Sequence, residues 1–310
     1  MFSLSGKLWR VDLRSGAVTA VPVAGAAIDP RLSGDGTAIA YVSGGALRVG
    51  DGDGDRALAE PEAPLVGYGL PEHVAAESMH RMRGYWWAPD GRRLVVARVD
   101  VSPVQVWYLA DPAEPTAPPT ALRYPAAGTA NADVTLWIVG LDGTRVGIDW
   151  DRREFEYVTA VRWDAFGLLV VVQSRAQDRM RILDVDPDTG RTRVLREDVD
   201  PAWVTIVPGV PARTGDGALV WTADTGATRH LVVDGETVTP QGLQVREVLD
   251  VDDDTVLFLG SDDPVRTQLW TWSRRAGRYG SATRLACTTG GGPGGPRSSR
   301  ARVWRTPVPG

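Results

Sequence analysis

Gly34-Asp35-Gly36, followed after Thr37 by Ala38-Ile39-Ala40-Tyr41-Val42, is the stretch that decides the fold. A tight turn delivers a short apolar run rich in β-branched and aromatic residues, which is the signature of a strand. Asp-Gly pairs suit such turns because both residues tolerate positive φ. The same phrase returns along the chain. Pro89-Asp90-Gly91 precedes Leu94-Val95-Val96-Ala97, and Phe166-Gly167 precedes Leu168-Leu169-Val170-Val171-Val172. Gly215-Asp216-Gly217 precedes Leu219-Val220-Trp221, and Asp252-Asp253-Asp254 precedes Val256-Leu257-Phe258-Leu259.

A second phrase alternates with the first: a strand that ends in its own turn. Examples are Leu8-Trp9-Arg10-Val11-Asp12-Leu13, Leu136-Trp137-Ile138-Val139, Arg181-Ile182-Leu183-Asp184-Val185, Leu231-Val232-Val233-Asp234-Gly235 and Leu269-Trp270-Thr271-Trp272. The turn glycines Gly36, Gly91, Gly167 and Gly217 lie roughly 50 to 75 residues apart, close to the length of one propeller blade plus insertions. Repeated units of this kind predict an all-β fold, a partial β-propeller of about five four-stranded blades. The repeats are too irregular for a WD40 or kelch pattern.

Composition narrows the function classes. With 310 residues the chain can bury a large core without a disulfide or metal. The formal net charge of −5 argues against a nucleic-acid partner. The single cysteine, Cys287, excludes an internal disulfide. No apolar run is long enough for a transmembrane helix, and no secretory signal opens the sequence. The expected location is the cytoplasm, with no membrane partner.

One segment reads as helix: His73 to Met82, between Pro71 and Gly84, has good helix formers and no interior Gly or Pro. It predicts a helical insertion over about 72–83. The propeller itself is expected over 1–272. Beyond it, from about 273 to 310, the composition changes abruptly. The last acidic residue is Asp263, while Arg266, Arg274, Arg275, Arg278 and further arginines follow, with a Gly290-Gly291-Gly292-Pro293-Gly294-Gly295-Pro296 run. Such a mixture predicts a disordered tail, and its abruptness suggests a truncated or frame-shifted copy of a longer gene.

The helix and its surroundings carry a family resemblance. Ala75-Ala76-Glu77-Ser78-Met79-His80-Arg81, then Gly84-Tyr85-Trp86-Trp87-Ala88-Pro89-Asp90-Gly91, resembles the N-terminal β-propeller domain of dipeptidyl peptidase IV-like serine peptidases, of the prolyl oligopeptidase clan. Ala97-Arg98-Val99-Asp100, Pro103-Val104-Gln105, Arg123-Tyr124-Pro125-Ala126-Ala127-Gly128, Asn131 and Asp133-Val134 continue it. The resemblance implies a non-catalytic domain that gates substrate access. In that family two adjacent glutamates on the helix hold the free α-amino group of the peptide substrate. An ammonium has three donors, and a carboxylate pair offers matching acceptors. Glu77 matches the first glutamate; Ser78, which carries no charge, stands in place of the second. The resemblance therefore implies Glu77 as the substrate-binding residue and a peptide as the ligand. A separate α/β-hydrolase domain or a second copy of the chain would be the protein partner.

The family's Ser-Asp-His triad belongs to that hydrolase domain. No Gly-x-Ser-x-Gly pentapeptide, the nucleophile elbow of such domains, occurs in the sequence. No catalytic residue is assigned here, and the chain alone is expected to hydrolyse nothing. The alternative is a stand-alone propeller that binds a protein or peptide, or an inactive truncated product.

Other constellations have plainer explanations. His73 and His80 are seven positions apart, too far for the usual zinc spacing. Asp51-Gly52-Asp53-Gly54-Asp55 with Glu62 has EF-hand-like acids, but Arg56 stands where glycine is required and Pro61 blocks the following helix. It reads as a polar hairpin loop. No metal and no cofactor is expected. The tryptophans alternate with strand residues and predict packing between blades.

Overall fold

The computed structural model describes residues 1–52, 54–275 and 278–281. The chain divides into two compact units, Met1–Ile206 and Val207–Gly310. Asp53, Cys287 and the Gly/Pro run of the tail lie outside the described residues.

The first unit opens with a three-stranded antiparallel sheet, β1 (Phe2–Leu4), β2 (Lys7–Val11) and β3 (Val18–Val21). A four-stranded sheet follows in chain order: β4 (Ile28–Leu32), β5 (Ile39–Ser43), β6 (Ala46–Asp51) and β7 (Gly54–Ala59). The third sheet contains β8 (Val66–Tyr68). The helix α1 (His73–Ser78) then intervenes, and β9 (Tyr85–Trp87) and β10 (Arg93–Asp100) return to the sheet. A separate two-stranded ribbon, β11 (Val106–Leu109) and β12 (Thr120–Arg123), leaves the sheet before β13 (Asp133–Gly140) and β14 (Arg145–Gly147) complete it. The fourth sheet is β15 (Tyr157–Asp164), β16 (Gly167–Gln173), β17 (Arg179–Val185) and β18 (Thr192–Val199).

The second unit holds two further four-stranded sheets in chain order. They are β19 (Ala212–Arg213), β20 (Leu219–Thr225), β21 (Thr228–Val233) and β22 (Glu236–Thr237), then β23 (Gln244–Val251), β24 (Thr255–Asp263), β25 (Arg266–Ser273) and β26 (Arg278–Ser281). Consecutive antiparallel four-stranded sheets are the blades of a β-propeller. The helix is a minor insertion, and the other regular elements among the described residues are all strands.

Why the apolar runs are continuous rather than alternating follows from the packing in the first unit. On β10, Val95, Ala97 and Val99 face a core shared with Leu168, Val170 and Val172 of β16. The intervening Leu94 and Val96 face a different core, shared with Ala40, Val42, Leu47 and Val49 of β5 and β6. Successive side chains point to opposite faces of a strand, and here both faces are covered. Trp86, Trp150 and Trp163 sit in or against the first core, and Trp87 and Trp137 against the second. These five tryptophans therefore pack between blades. Trp107 and Trp203 are exposed exceptions.

Two sequence expectations shift. The helix predicted to about residue 83 ends at Ser78, because His80 adopts φ 57° and turns the chain out of the helix. The tail predicted to be disordered from about Ser273 begins instead with β26, which pairs with β25 through Trp270↔Ser281 and Trp272↔Tyr279. A free sheet edge recruits a neighbour through backbone hydrogen bonds, so its partner needs few apolar side chains.

The histidines and acids singled out by spacing have local tasks. His230 is buried on β21 opposite Ala223, with its Nδ1 3.0 Å from the Thr239 carbonyl. Asp51 pairs with Arg56 at 2.8 Å, Asp55 with Arg48 at 3.2 Å, and Glu62 with Arg98 at 2.5 Å. The β6–β7 hairpin is thus a charged, ion-paired surface.

Candidate functional site

The site is built where α1 interrupts the third sheet. Its N-terminus is capped by Glu72, whose carboxylate accepts the backbone N–H groups of Val74 at 2.6 Å and Ala75 at 2.7 Å. Those two donors have no partner inside the helix, and the cap satisfies both. Glu72 itself is buried. At the other end the Arg81 N–H closes back on the Ala75 carbonyl at 3.0 Å.

Arg81 ties this turn to the sheet beneath. It is only 5% exposed. Its Nε donates to the Val158 carbonyl at 2.8 Å and one terminal nitrogen to the Arg83 carbonyl at 2.9 Å. The guanidinium carbon lies 6.0 Å from the centre of the Trp86 ring. Burial pulls its pKa down to about 10, against the opposing pull of the Glu72 carboxylate, so it stays charged at neutral pH. The return strand fits tightly: a Cβ on Gly84 would meet the Leu70 carbonyl at 2.5 Å. Tyr85 is fully buried, and its single hydroxyl proton is shared between the carbonyls of Asp29 and, at 2.8 Å, Ala40. Burial raises its phenol pKa strongly.

Glu77 projects outward from this fixed base, with its side chain 61% exposed. Ser78 is exposed next to it. His73, one turn earlier on the helix, places its Nε2 2.6 Å from a Glu77 carboxylate oxygen. The imidazole in turn meets the Tyr124 ring edge-on, with centroids 4.9 Å apart and planes at 68°. Tyr124 follows β12 and is held by its backbone. Its N–H donates to the Gln105 carbonyl at 3.1 Å, and its carbonyl accepts the Trp107 indole N–H at 3.2 Å. Arg123 beside it donates to the Val104 carbonyl at 2.5 Å. The two sequence motifs, Glu77 with its helix and Arg123-Tyr124-Pro125, therefore meet in space through His73.

A second polar group gathers at the start of β15, one residue from the Arg81 contact. Asn131 donates to Glu156 at 2.8 Å and to the Tyr157 hydroxyl at 3.2 Å, and Arg175 reaches Glu156 at 3.3 Å. Asn131 was singled out by the sequence; Glu156, Tyr157 and Arg175 were not. Glu72 and His73 were also missed as partners. The i, i+4 spacing of His73 and Glu77 is a readable signal, whereas a glutamate is a weak N-cap signal.

The chemistry available at α1 is acceptance of a cation by one exposed carboxylate. His73 pairs with Glu77, His230 lies against the Thr239 carbonyl, and His80 occupies the left-handed turn that ends α1. No helix among the described residues is long and apolar enough to cross a membrane.

Mouse dipeptidyl peptidase 8 is 24% identical over 194 residues, a match covering 48% of this chain and 22% of that protein. The inactive dipeptidyl peptidase 10 of rat is 27% identical over 150 residues, covering 46% of this chain and 19% of that protein. The chain thus spans well under a third of the curated relatives that it matches. The crystal structure of Porphyromonas gingivalis dipeptidyl peptidase 4 superposes with a TM-score of 0.75 at 18% identity, over 88% of this chain and 41% of that one. The blade sheets are therefore a fold shared with that enzyme. The model of the dipeptidyl peptidase IV (DPP IV) N-terminal region matches residues 2–294. With the helix, the blades and this match in agreement, the chain belongs to the family of the dipeptidyl peptidase IV N-terminal region.

Proposed function

We propose that the chain is the propeller part of a dipeptidyl peptidase IV-like serine peptidase, gating substrate access and anchoring the peptide's N-terminal ammonium at Glu77. Bond cleavage would belong to an α/β-hydrolase domain. The observation that carries this reading is the exposed Glu77 carboxylate on a short helix clamped at both ends, by the Glu72 cap and by Arg81. A rigid element presenting one charged acceptor suits a small cationic ligand. Ser78 adds an uncharged hydroxyl, so the site offers one formal negative charge where two carboxylates would offer two.

The test is calorimetric binding of an X-Pro dipeptide amide to the full chain, compared with its N-acetylated counterpart. Free-amine peptide is expected to bind better. Charged hydrogen bonds contribute about 1.5–3 kcal/mol, so Glu77→Gln is expected to lower that preference by about tenfold or more. Ser78→Glu is expected to raise it, because a second carboxylate adds acceptors and charge. Equal affinity for both peptides, unmoved by Glu77→Gln, contradicts the proposal.

A further inference from the structure

An exposed glutamate on a helix turn is by itself a poor anchor. Its side chain is long and rotatable, and fixing it on binding costs affinity. Neighbours that lock the rotamer beforehand remove that cost. His73 is placed to do this. An ionised carboxylate only accepts hydrogen bonds, so at 2.6 Å the His73 Nε2 carries the proton and donates to Glu77. The imidazole is fixed in turn by the edge-on Tyr124 ring at 4.9 Å. Tyr124 is tied to the main chain of Gln105 and to the Trp107 indole. One oxygen of Glu77 is therefore engaged, and its other oxygen stays available to a ligand.

We propose that His73 is the positioning residue for Glu77: donating from Nε2 and braced by Tyr124, it holds the carboxylate in one orientation for a peptide ammonium. This rests on the amine-anchor reading above. The arrangement gives the helix a substitute for the order that a second carboxylate at Ser78 would impose. Specificity follows from the same geometry. A pre-aimed carboxylate favours a compact primary ammonium over a bulkier, N-substituted amine.

The experiment uses the full chain and the same pair of peptides. His73→Phe keeps a ring against Tyr124 but removes the donor. It is expected to lower the free-amine over acetylated preference by about two- to tenfold. His73→Gln restores a donor within reach of position 77 and is expected to recover part of that loss. Both side chains are about half exposed, so the variants should unfold at the wild-type temperature, which is measured alongside. If Glu77→Gln abolishes the preference while His73→Phe leaves it at the wild-type level, the positioning role is refuted and the anchor stands. A loss with His73→Phe that His73→Gln does not recover also refutes donation as the cause. If the wild-type chain shows no preference, the anchor is refuted, and the role of His73 with it.

Discussion

Phe155→Ala is expected to lower the unfolding free energy by about 3–5 kcal/mol, the range for deleting a buried phenylalanine ring. Phe155 is 1% exposed and packs in the core shared by the third and fourth sheets, with Trp86, Trp150, Val158 and Leu183. Two guanidiniums cover its ring, with Arg181 at 4.4 Å and Arg179 at 5.3 Å from the centroid. Both arginines are held in place by Glu197, at 2.8 Å and 2.6 Å. Because the ladders on either side are fixed by backbone hydrogen bonds, the site cannot collapse around the missing ring. A cavity is left, and the cation–π contacts are lost. Urea denaturation followed by circular dichroism measures the effect, which should appear as a lower midpoint at constant slope. Phe166→Ala, at a residue 48% exposed, is the control and should change stability by under about 0.5 kcal/mol. A loss under about 1 kcal/mol for Phe155→Ala would show that this interior is not a packed inter-blade core.

Arg81→Ala is expected to cost about 2–4 kcal/mol: a buried carbonyl left without its donor costs about 1–3 kcal/mol, and the second of the two concerned, being only partly buried, costs less. The carbonyls concerned are those of Val158 and Arg83. The effect should also be local. Arg81 links the end of α1 to β15, so its loss should speed hydrogen exchange of the Ala75 and Arg81 amides more than that of β16. The preference for a free-amine peptide should fall at the same time, because the base under Glu77 loosens. Lysine is not a substitute: a single ammonium on a flexible stem does not reproduce a planar fork that serves two carbonyls. If α1 amides keep their protection in Arg81→Ala, the clamp lies elsewhere.

Much of the fold was legible in the sequence because a strand covered on both faces leaves a continuous apolar run, as at Leu94–Ala97 and Leu168–Val172, with a turn before it. The turn glycines were equally legible: Gly36, Gly91 and Gly217 adopt φ of 73°, 66° and 87°, where glycine carries little steric penalty. The helix end was less so. Helix propensity continues through Met82, but the chain turns left-handed at His80, directly before Arg81, whose tertiary contacts no local pattern announces. A charged side chain on a presumed surface helix gives no sign that it is buried against Val158 and Trp86. The last strand was missed for a related reason. Composition registers which side chains can be buried, whereas β26 joins its sheet by backbone pairing. At the site, Glu77 and Tyr124 were both visible as motifs. Their meeting through His73 depends on where the ribbon β11–β12 returns to the sheet, which spacing does not encode.

The most direct test of the site is nuclear magnetic resonance of the ¹⁵N-labelled full chain, titrated with the free-amine X-Pro dipeptide amide. The peptide should shift the amides of residues 72–81 and of Arg123 and Tyr124, and its N-acetylated counterpart should leave them in place. Shifts confined to the exposed ribbon around Trp107 and Tyr108, or the same shifts with both peptides, would contradict an ammonium anchor at Glu77.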